Sequence, residues 1–322
     1  LLYLTDEKLN HLLTYETLVP ALRDMHKVPP EVLEDMLLEQ PAVAGGVDRI
    51  LNRAAWQQGK ALGVKLATIF PNNGKDGSDL PSIQALYVLF DGTNGSPQAV
   101  MDGTVLTWRK TAADSALGAS FLARDDVEHM VMVGAGSMAP ELIKAHLSVR
   151  PSLRRVSIFN RSAGRADDLV ARLSTEVSGV SFSRVDDLEA AVGEADLVCC
   201  ATMSQTPVVS GAWLRPGTHL DLIGAYTAEM READDEALRR GRLFVDSRDT
   251  TIKHIGELMI PLRTGVIAES DVLADLVDLC RGEAPGRQTA EEITIFKNGG
   301  GGHLDLMTAR HAITRASEEG VA

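Results

Sequence analysis

From Val127 onward the chain alternates short apolar runs with helix-like segments, and this rhythm restricts the fold more than any other feature. The runs "HMVMVGAG", "RVSIFN", "VSFSRV", "ADLVCCAT", "THLDLIGA", "GRLFVDS" and "EITIFKN" are strand-length. Helices are expected at Ala139–Val149, Gly164–Leu173 and Leu188–Val192. Short runs that are apolar on both faces, set between helices, belong to a parallel sheet covered on both sides. This part is therefore expected to be a Rossmann-type, doubly wound α/β domain.

The preceding part has a different texture. Thr5 to Asp24 reads as one amphipathic helix with Leu9, Leu12, Leu13 and Tyr15 on a face, started by Thr5-Asp6-Glu7-Lys8. A second helix is expected over Glu31–Leu38. "ALGVKLATIF" and "SIQALYVLFD" read as strands, bounded by Asn, Gly, Asp and Pro clusters, and "DGTNGSPQAVMD" as a hairpin turning at Asn94-Gly95. "LTWRKTAADSALGASFLAR" then gives a helix whose Ala112, Ala113, Ala116 and Ala119 allow close packing. The final "HLDLMTARHAITRASEE" is a helix after a glycine-rich tether. If it returns to the first segment, an α+β domain of residues 1–122 and 303–322 encloses a dinucleotide domain of residues 123–302.

The glycine turn decides what the parallel domain is for. In a dinucleotide-binding turn the first glycine makes the bend and the second lets the backbone approach a pyrophosphate. A third small residue packs helix on strand. Gly134, Gly136 and Ala139 fill these places, with Ala135, Ser137 and Met138 between them. The N–H groups and dipole of the next helix point at the phosphates, and Pro140 suits its first turn. A plain strand-to-helix turn is the alternative. The second strand ends in Asn160-Arg161-Ser162, where an NAD site places a carboxylate. Uncharged Asn160 does not repel a 2′-phosphate, and Arg161, Ser162 and Arg165 can bind one. NADPH is the expected cofactor, with NADH as the alternative; solvated surface arginines are the competing reading.

A net charge of −13 and a pI near 5.1 argue against a nucleic-acid or anionic-membrane partner. They leave room for a small anionic substrate in a local basic pocket. Cys199, Cys200 and Cys280 are the three cysteines, and the adjacent pair reads as buried strand residues. "LLYLTDEKLNHLL" becomes charged too early for a signal peptide, and no apolar run approaches the roughly 20 residues of a membrane helix. A soluble cytoplasmic protein is expected.

"GVKLATIFPNN", "DGTVLTWRKTAADSALGA", "VMVGAGSMA", "ADLVCCATMSQTPV", "GTHLDLIGAYTAEMREADDEAL" and "ITIFKNGGGGHLDLMTA" together resemble the ornithine cyclodeaminase/mu-crystallin family over nearly the whole chain. The resemblance implies a homodimer whose first-domain sheet lies at the interface and supplies substrate residues. It also implies a C-terminal helix that returns to that domain, and chemistry on C–N bonds of small amino or imino acids. The substrate carboxylate would be held by Lys65 and by the Arg109-Lys110 pair. Lys110 stands where typical members have arginine, which exchanges a planar fork for a point charge. Arg53 of "NRAAW" matches a further arginine, whereas Glu31 replaces another. Lys65 also has its own argument, because a lysine within an apolar strand needs a partner. Lys65 is the residue expected to act in catalysis, assisting the protonated nitrogen or orienting a water.

Ornithine cyclodeaminases carry a catalytic aspartate where this chain has Tyr226, followed by Thr227, which is assigned to the substrate. The "YTAEMREAD" form resembles bacterial members that reduce Δ1-pyrroline-2-carboxylate to L-proline. That reaction is expected. The alternatives are an ornithine cyclodeaminase, an alanine-dehydrogenase-like oxidoreductase and a non-catalytic NADPH-binding protein like mu-crystallin. By the same resemblance Thr111, Thr202, Met203, Ser204, Ile223, Gly224, Ala225, Lys297, Asn298 and Gly299 contact the cofactor. No metal is expected, and His303, Asp305 and His311 are read as solvated or interface residues.

Overall fold

Two units, residues 1–111 with 301–322 and residues 112–300, divide the chain in a computed structural model that describes residues 1–73 and 80–321. Part of the Asn, Gly and Asp cluster between the strands expected at "ALGVKLATIF" and "SIQALYVLFD" falls on residues 74–79, outside the described residues.

The first unit opens with β1 (Leu2–Leu4), α1 (Asp6–Leu12) and α2 (Tyr15–His26). The single helix expected over Thr5–Asp24 is thus two. Thr14 is extended, with φ −71° and ψ 148°, and starts α2, the place its short polar side chain favours. The helix expected over Glu31–Leu38 is not formed. Those residues lie in β2 (Glu31–Val32) and β3 (Met36–Pro41), both paired antiparallel with β4 (Val47–Gln57). Pairing along β4 outweighs the local helix preference, and the two prolines just before Glu31 favour an extended chain. β5 (Ala61–Ile69), β6 (Ile83–Asp91) and β7 (Pro97–Asp102) continue the sheet, with β6 and β7 forming the expected hairpin. The order is β1-β7-β6-β5-β4-β2, with β3 also on β4. α3 (Gly103–Leu122) then begins in this unit and ends in the next.

The second unit contains β8 (His129–Val133), α4 (Met138–Val149), β9 (Arg155–Phe159), α5 (Ala163–Glu176), β10 (Ser181–Arg184), α6 (Leu188–Glu194), β11 (Leu197–Cys200) and β12 (His219–Leu222). It continues through α7 (Asp235–Arg240), β13 (Arg242–Val245), α8 (Arg248–Thr251), α9 (Gly256–Thr264), β14 (Val272–Asp275), α10 (Leu276–Arg281) and β15 (Thr294–Lys297). All eight strands are parallel, in the order β10-β9-β8-β11-β12-β15-β13-β14. β8 to β10 run one way from the centre and β11 and β12 the other, so the order reverses between β8 and β11. Ligands gather beyond the carboxyl ends of strands at such a reversal. Cys199 and Cys200 are buried in β11, as expected.

α11 (Gly302–Glu318) closes the first unit, packing on β4, β5 and β6 and against α2. The face it covers on β5 carries Ala61, Gly63, Lys65 and Ala67, all buried, while Leu66 on the other face is exposed. Small side chains let the helix approach, and a lysine occupies the covered side. No helix among the described residues is long and apolar enough to cross a membrane.

Candidate active site

The glycine turn follows β8 at the sheet's reversal point. Gly134 has φ +110°, and a Cβ there would stand 2.6 Å from the Ala201 carbonyl oxygen, so no other residue fits without displacing the β11 turn. A Cβ on Gly136 would meet nothing within 4 Å, and Gly136 and Ser137 are exposed. The turn therefore presents open backbone followed by the free N–H end of the twelve-residue α4. Ala139 and Pro140 are buried, as close packing of helix on sheet requires. At the end of β9, the Asn160 side chain accepts the Ala135 N–H at 3.2 Å and donates to the Ser162 carbonyl at 2.9 Å. Asn160 thus braces the glycine turn. Arg161, Ser162 and Arg165 are exposed around it.

Beyond β11 and β12, a buried carboxylate joins two further predicted segments. Glu232 accepts from the Thr202 N–H (2.6 Å), the Thr202 hydroxyl (2.8 Å) and the Gly224 N–H (2.7 Å). Gly224 lies so close to the other turn that a Cβ would stand 1.8 Å from the Thr202 carbonyl oxygen. Glu257 in turn accepts from the N–H groups of Glu232 and Ala233 at 2.7 and 3.0 Å. Asp246, after β13, accepts from Gly299 and Gly300 at 2.9 and 2.6 Å. Burial raises all three carboxyls, Glu257 to about 7 and Asp246 to about 6.

Lys297 lies among these groups. Its side chain is fully buried and its ammonium donates to the carbonyls of Leu222, Ala225 and Asn298 at 3.0, 2.8 and 2.9 Å. It ties β15 to the β12 turn. Asn298 is also buried and donates to Ser115, whose hydroxyl donates to Asp221. Asp221 further receives His146 Nε2 at 3.0 Å and the Cys199 thiol at 3.5 Å, a fully buried polar cluster not anticipated from the sequence. Met203 and Tyr226 are exposed; Thr202, Ser204, Ile223, Thr227 and Gly299 are half-buried beside them.

In the first unit, antiparallel register sets Arg53, Lys65, Tyr87 and Met101 in one row across β4, β5, β6 and β7. β5 is an interior strand, so Lys65 cannot turn its head to water at an edge. Its ammonium lies 2.9 Å from Asp305 Oδ2. Lys110 Nζ lies 2.8 Å from Asp305 Oδ1 and donates to the Gly301 carbonyl at 3.0 Å. Asp305 is 1 % exposed, and His303 and His311 are buried as well, so the reading of these three as solvated or interface residues is corrected. Burial opposes ionisation of Asp305, but the ammonium groups of Lys110 and Lys65 outweigh it and hold its carboxyl down to about 2. Burial draws Lys110 down to about 7 against the attraction of Asp305.

The Arg109-Lys110 pair divides cleanly. Lys110 joins Lys65, whereas Arg109 donates to Asn10 and stacks 5.0 Å from the Tyr15 ring centroid. Arg53 pairs with Asp35, Nε to Oδ2 at 2.9 Å. Thr111 is half-buried one residue after Lys110. The acids Glu232, Glu257 and Asp246 were not picked out from sequence, and Asp305 was named there but not as a partner of Lys65 and Lys110. A single acid set among leucines and methionine, as in "HLDLM", is a signal that could have marked Asp305 as buried and paired.

The ornithine cyclodeaminase/mu-crystallin family pattern matches residues 48–320. A Δ1-pyrroline-2-carboxylate reductase from Paracoccus denitrificans is 47 % identical over 299 residues, covering 93 % of this chain and 92 % of the relative. Among solved structures, the Thermococcus litoralis Δ1-pyrroline-2-carboxylate reductase in complex with NADH and L-proline has TM-score 0.89 at 29 % identity, covering 99 % of this chain and 98 % of the other. An archaeal alanine dehydrogenase dimer with bound NAD has TM-score 0.88 at 27 % identity, covering 100 % and 97 %. The match in pattern, sequence and fold extends over the residues that build both clusters, and the chain belongs to the ornithine cyclodeaminase/mu-crystallin family.

Proposed function

We propose that this protein is an NAD(P)H-dependent reductase that converts a cyclic imino acid, Δ1-pyrroline-2-carboxylate, to L-proline. The observation that carries the reading is two buried ammonium groups, Lys65 and Lys110, sharing one carboxylate, Asp305. With Arg53 neutralised by Asp35, the cluster of Lys65, Lys110 and Asp305 keeps one surplus positive charge, which suits the carboxylate of a small imino acid. The Paracoccus and Thermococcus relatives, named for this reaction, support the same substrate.

The second unit fits a dinucleotide. Gly134, Ala135, Gly136, Ser137 and Met138 would face the pyrophosphate, and Thr202, Met203, Ser204, Ile223, Gly224 and the backbone of Asn298-Gly299 the nicotinamide end. A reduced nicotinamide bound there supplies the hydride. The imine carbon gains that hydride and the nitrogen carries a proton, so Lys65 has two tasks: to hold the carboxylate and to keep the nitrogen protonated or orient a water beside it. Tyr226 offers no carboxylate base, which disfavours ornithine cyclisation. Likeness to the alanine dehydrogenase favours an open-chain imino acid as the second reading.

NADPH is the proposed preference, because Arg161 and Arg165 are exposed beside an uncharged Asn160. Arg161→Ala should lower the preference for NADPH over NADH about tenfold; an unchanged ratio refutes the assignment. We also propose a homodimer, because the uncovered face of the first-unit sheet exposes Leu38, Ile50, Leu66 and Leu86. The cytoplasm is the proposed compartment, where the thiols of Cys199 and Cys200 stay reduced.

The deciding experiment gives purified protein NADPH with Δ1-pyrroline-2-carboxylate, then with pyruvate and ammonia, following NADPH oxidation and amino-acid products. Proline formation supports the first reading, alanine formation alone the second. No oxidation with any imino acid sinks both.

A further inference from the structure

We infer that Asp305 is the positioning residue of the substrate site: it fixes the Lys65 and Lys110 ammonium groups side by side and cancels one of their two charges, so the site accepts one singly charged carboxylate. This deepens the function proposed above and rests on it.

The two lysines arrive from different elements, Lys65 from β5 and Lys110 from α3. Nothing in the backbone forces their heads together. Each touches Asp305, Lys65 at 2.9 Å from Oδ2 and 3.2 Å from Oδ1, Lys110 at 2.8 Å from Oδ1. Asp305 lies in the first turn of α11, and Lys110 also grips the Gly301 carbonyl just before that helix. The carboxylate is therefore anchored by the helix and in turn anchors both cations.

The surrounding charges define the balance. β4 contributes Arg53, paired with Asp35, and β6 contributes Tyr87, whose hydroxyl is pushed well above its ordinary range by burial and Asp305 and stays neutral. α2 contributes His26 and α11 His303, rings 6.0 Å apart, which burial lowers to about 4 and about 3, so both are neutral near pH 7. Three cations face two carboxylates. One added carboxylate completes the set, whereas a second would be buried without a partner.

Removing Asp305 leaves two like charges facing each other in a buried space. Lys110, already drawn down to about 7, would then lose its proton at lower pH and bind carboxylates less well. The probe is pyrrole-2-carboxylate, a planar carboxylate that NADPH cannot readily reduce, titrated calorimetrically from pH 5.5 to 9 alongside steady-state kinetics. In wild type, affinity should weaken above about pH 7. Asp305→Asn should weaken binding about tenfold at pH 7, move the loss at least about one pH unit lower, and raise KM more than it lowers kcat. Asp305→Glu should restore much of the profile. Lys110→Arg provides a second test should Asp305→Asn fail to fold: its guanidinium does not titrate, so affinity should be flat across the range.

An Asp305→Asn profile that overlays wild type, or a kcat loss with unchanged KM and probe affinity, overturns the inference. So does a Lys110→Arg variant that keeps the wild-type pH dependence. If wild type reduces no imino acid yet binds the probe with the stated profiles, the functional reading fails and the role of Asp305 stands.

Discussion

Each unit buries lysine among carboxylates, and the two clusters are near opposites. In the second unit one ammonium, Lys297, lies among Glu232, Glu257, Asp246 and Asp221, and its three donors are all spent on backbone carbonyls. In the first unit one carboxylate, Asp305, is shared by two lysines. In the former one cation does not offset the burial of its acids, so burial raises Glu232, Glu257 and Asp246, Glu257 to about 7 and Asp246 to about 6. The latter has positive charge to spare, so its acid is depressed, and in the function proposed above the surplus is left for a ligand's carboxylate. A buried ion cluster is therefore not a function in itself. What separates scaffold from site is whether the donors are already used.

Substitution of the lysines should separate the two clusters. Lys65→Ala should lower kcat/KM for the imino acid at least about a thousand-fold, while the NADPH dissociation constant, read by fluorescence, stays within about threefold. Substantial retained turnover would place the first-unit cluster with the scaffolds. Lys297→Met should do the reverse. It leaves three carbonyls and several acids without their cation, and urea unfolding should show a loss of about 3 kcal/mol. A fully stable Lys297→Met protein that merely turns over slowly would return Lys297 to the cofactor site.

pH should sharpen the contrast further. Glu257 and Asp246 have folded values raised to about 7 and about 6 from 4.5 and 3.8. Their stabilising contribution is complete below the unfolded values and is lost as pH rises through the folded ones. Because the lowered His26, His303 and Lys110 act in the opposite sense over this range, the effect is read as a difference: relative to Glu257→Gln, wild type should lose about 2–3 kcal/mol of unfolding free energy between pH 5 and 8. Asp305, depressed to about 2 from 3.8, acts oppositely: its contribution is present above 3.8 and lost as pH falls through about 2. A difference between wild type and Glu257→Gln that stays constant or grows from pH 5 to 8 would contradict the raised carboxyl.

The second unit was the more legible from sequence because its strands are buried on both faces and therefore read as continuous apolar runs. Gly134 and Gly136 also announced their turn. The first unit was harder to read: Thr14 divides the one helix expected over Thr5–Asp24, and no helix forms over Glu31–Leu38. Residues 31–41 have a helix-like mix, and only the neighbouring β4 edge makes them strands. On β5 the buried face is the lysine side, covered by α11, while Leu66 is exposed. Lys65 was identified through its motif, but its partner was not, because Asp305 is 240 residues away in the chain. Glu232 was equally hidden: its importance depends on two turns meeting, which no local pattern records.

Glu232 and the close approach at Gly224 have one more consequence. The turns after β11 and β12 are clamped through three hydrogen bonds and a backbone contact too tight for any side chain. They must shift together or not at all. A ligand docking on them has little loop entropy left to remove, so more of its contact energy remains as affinity. Loosening either turn alone would tax binding without deleting a single ligand contact.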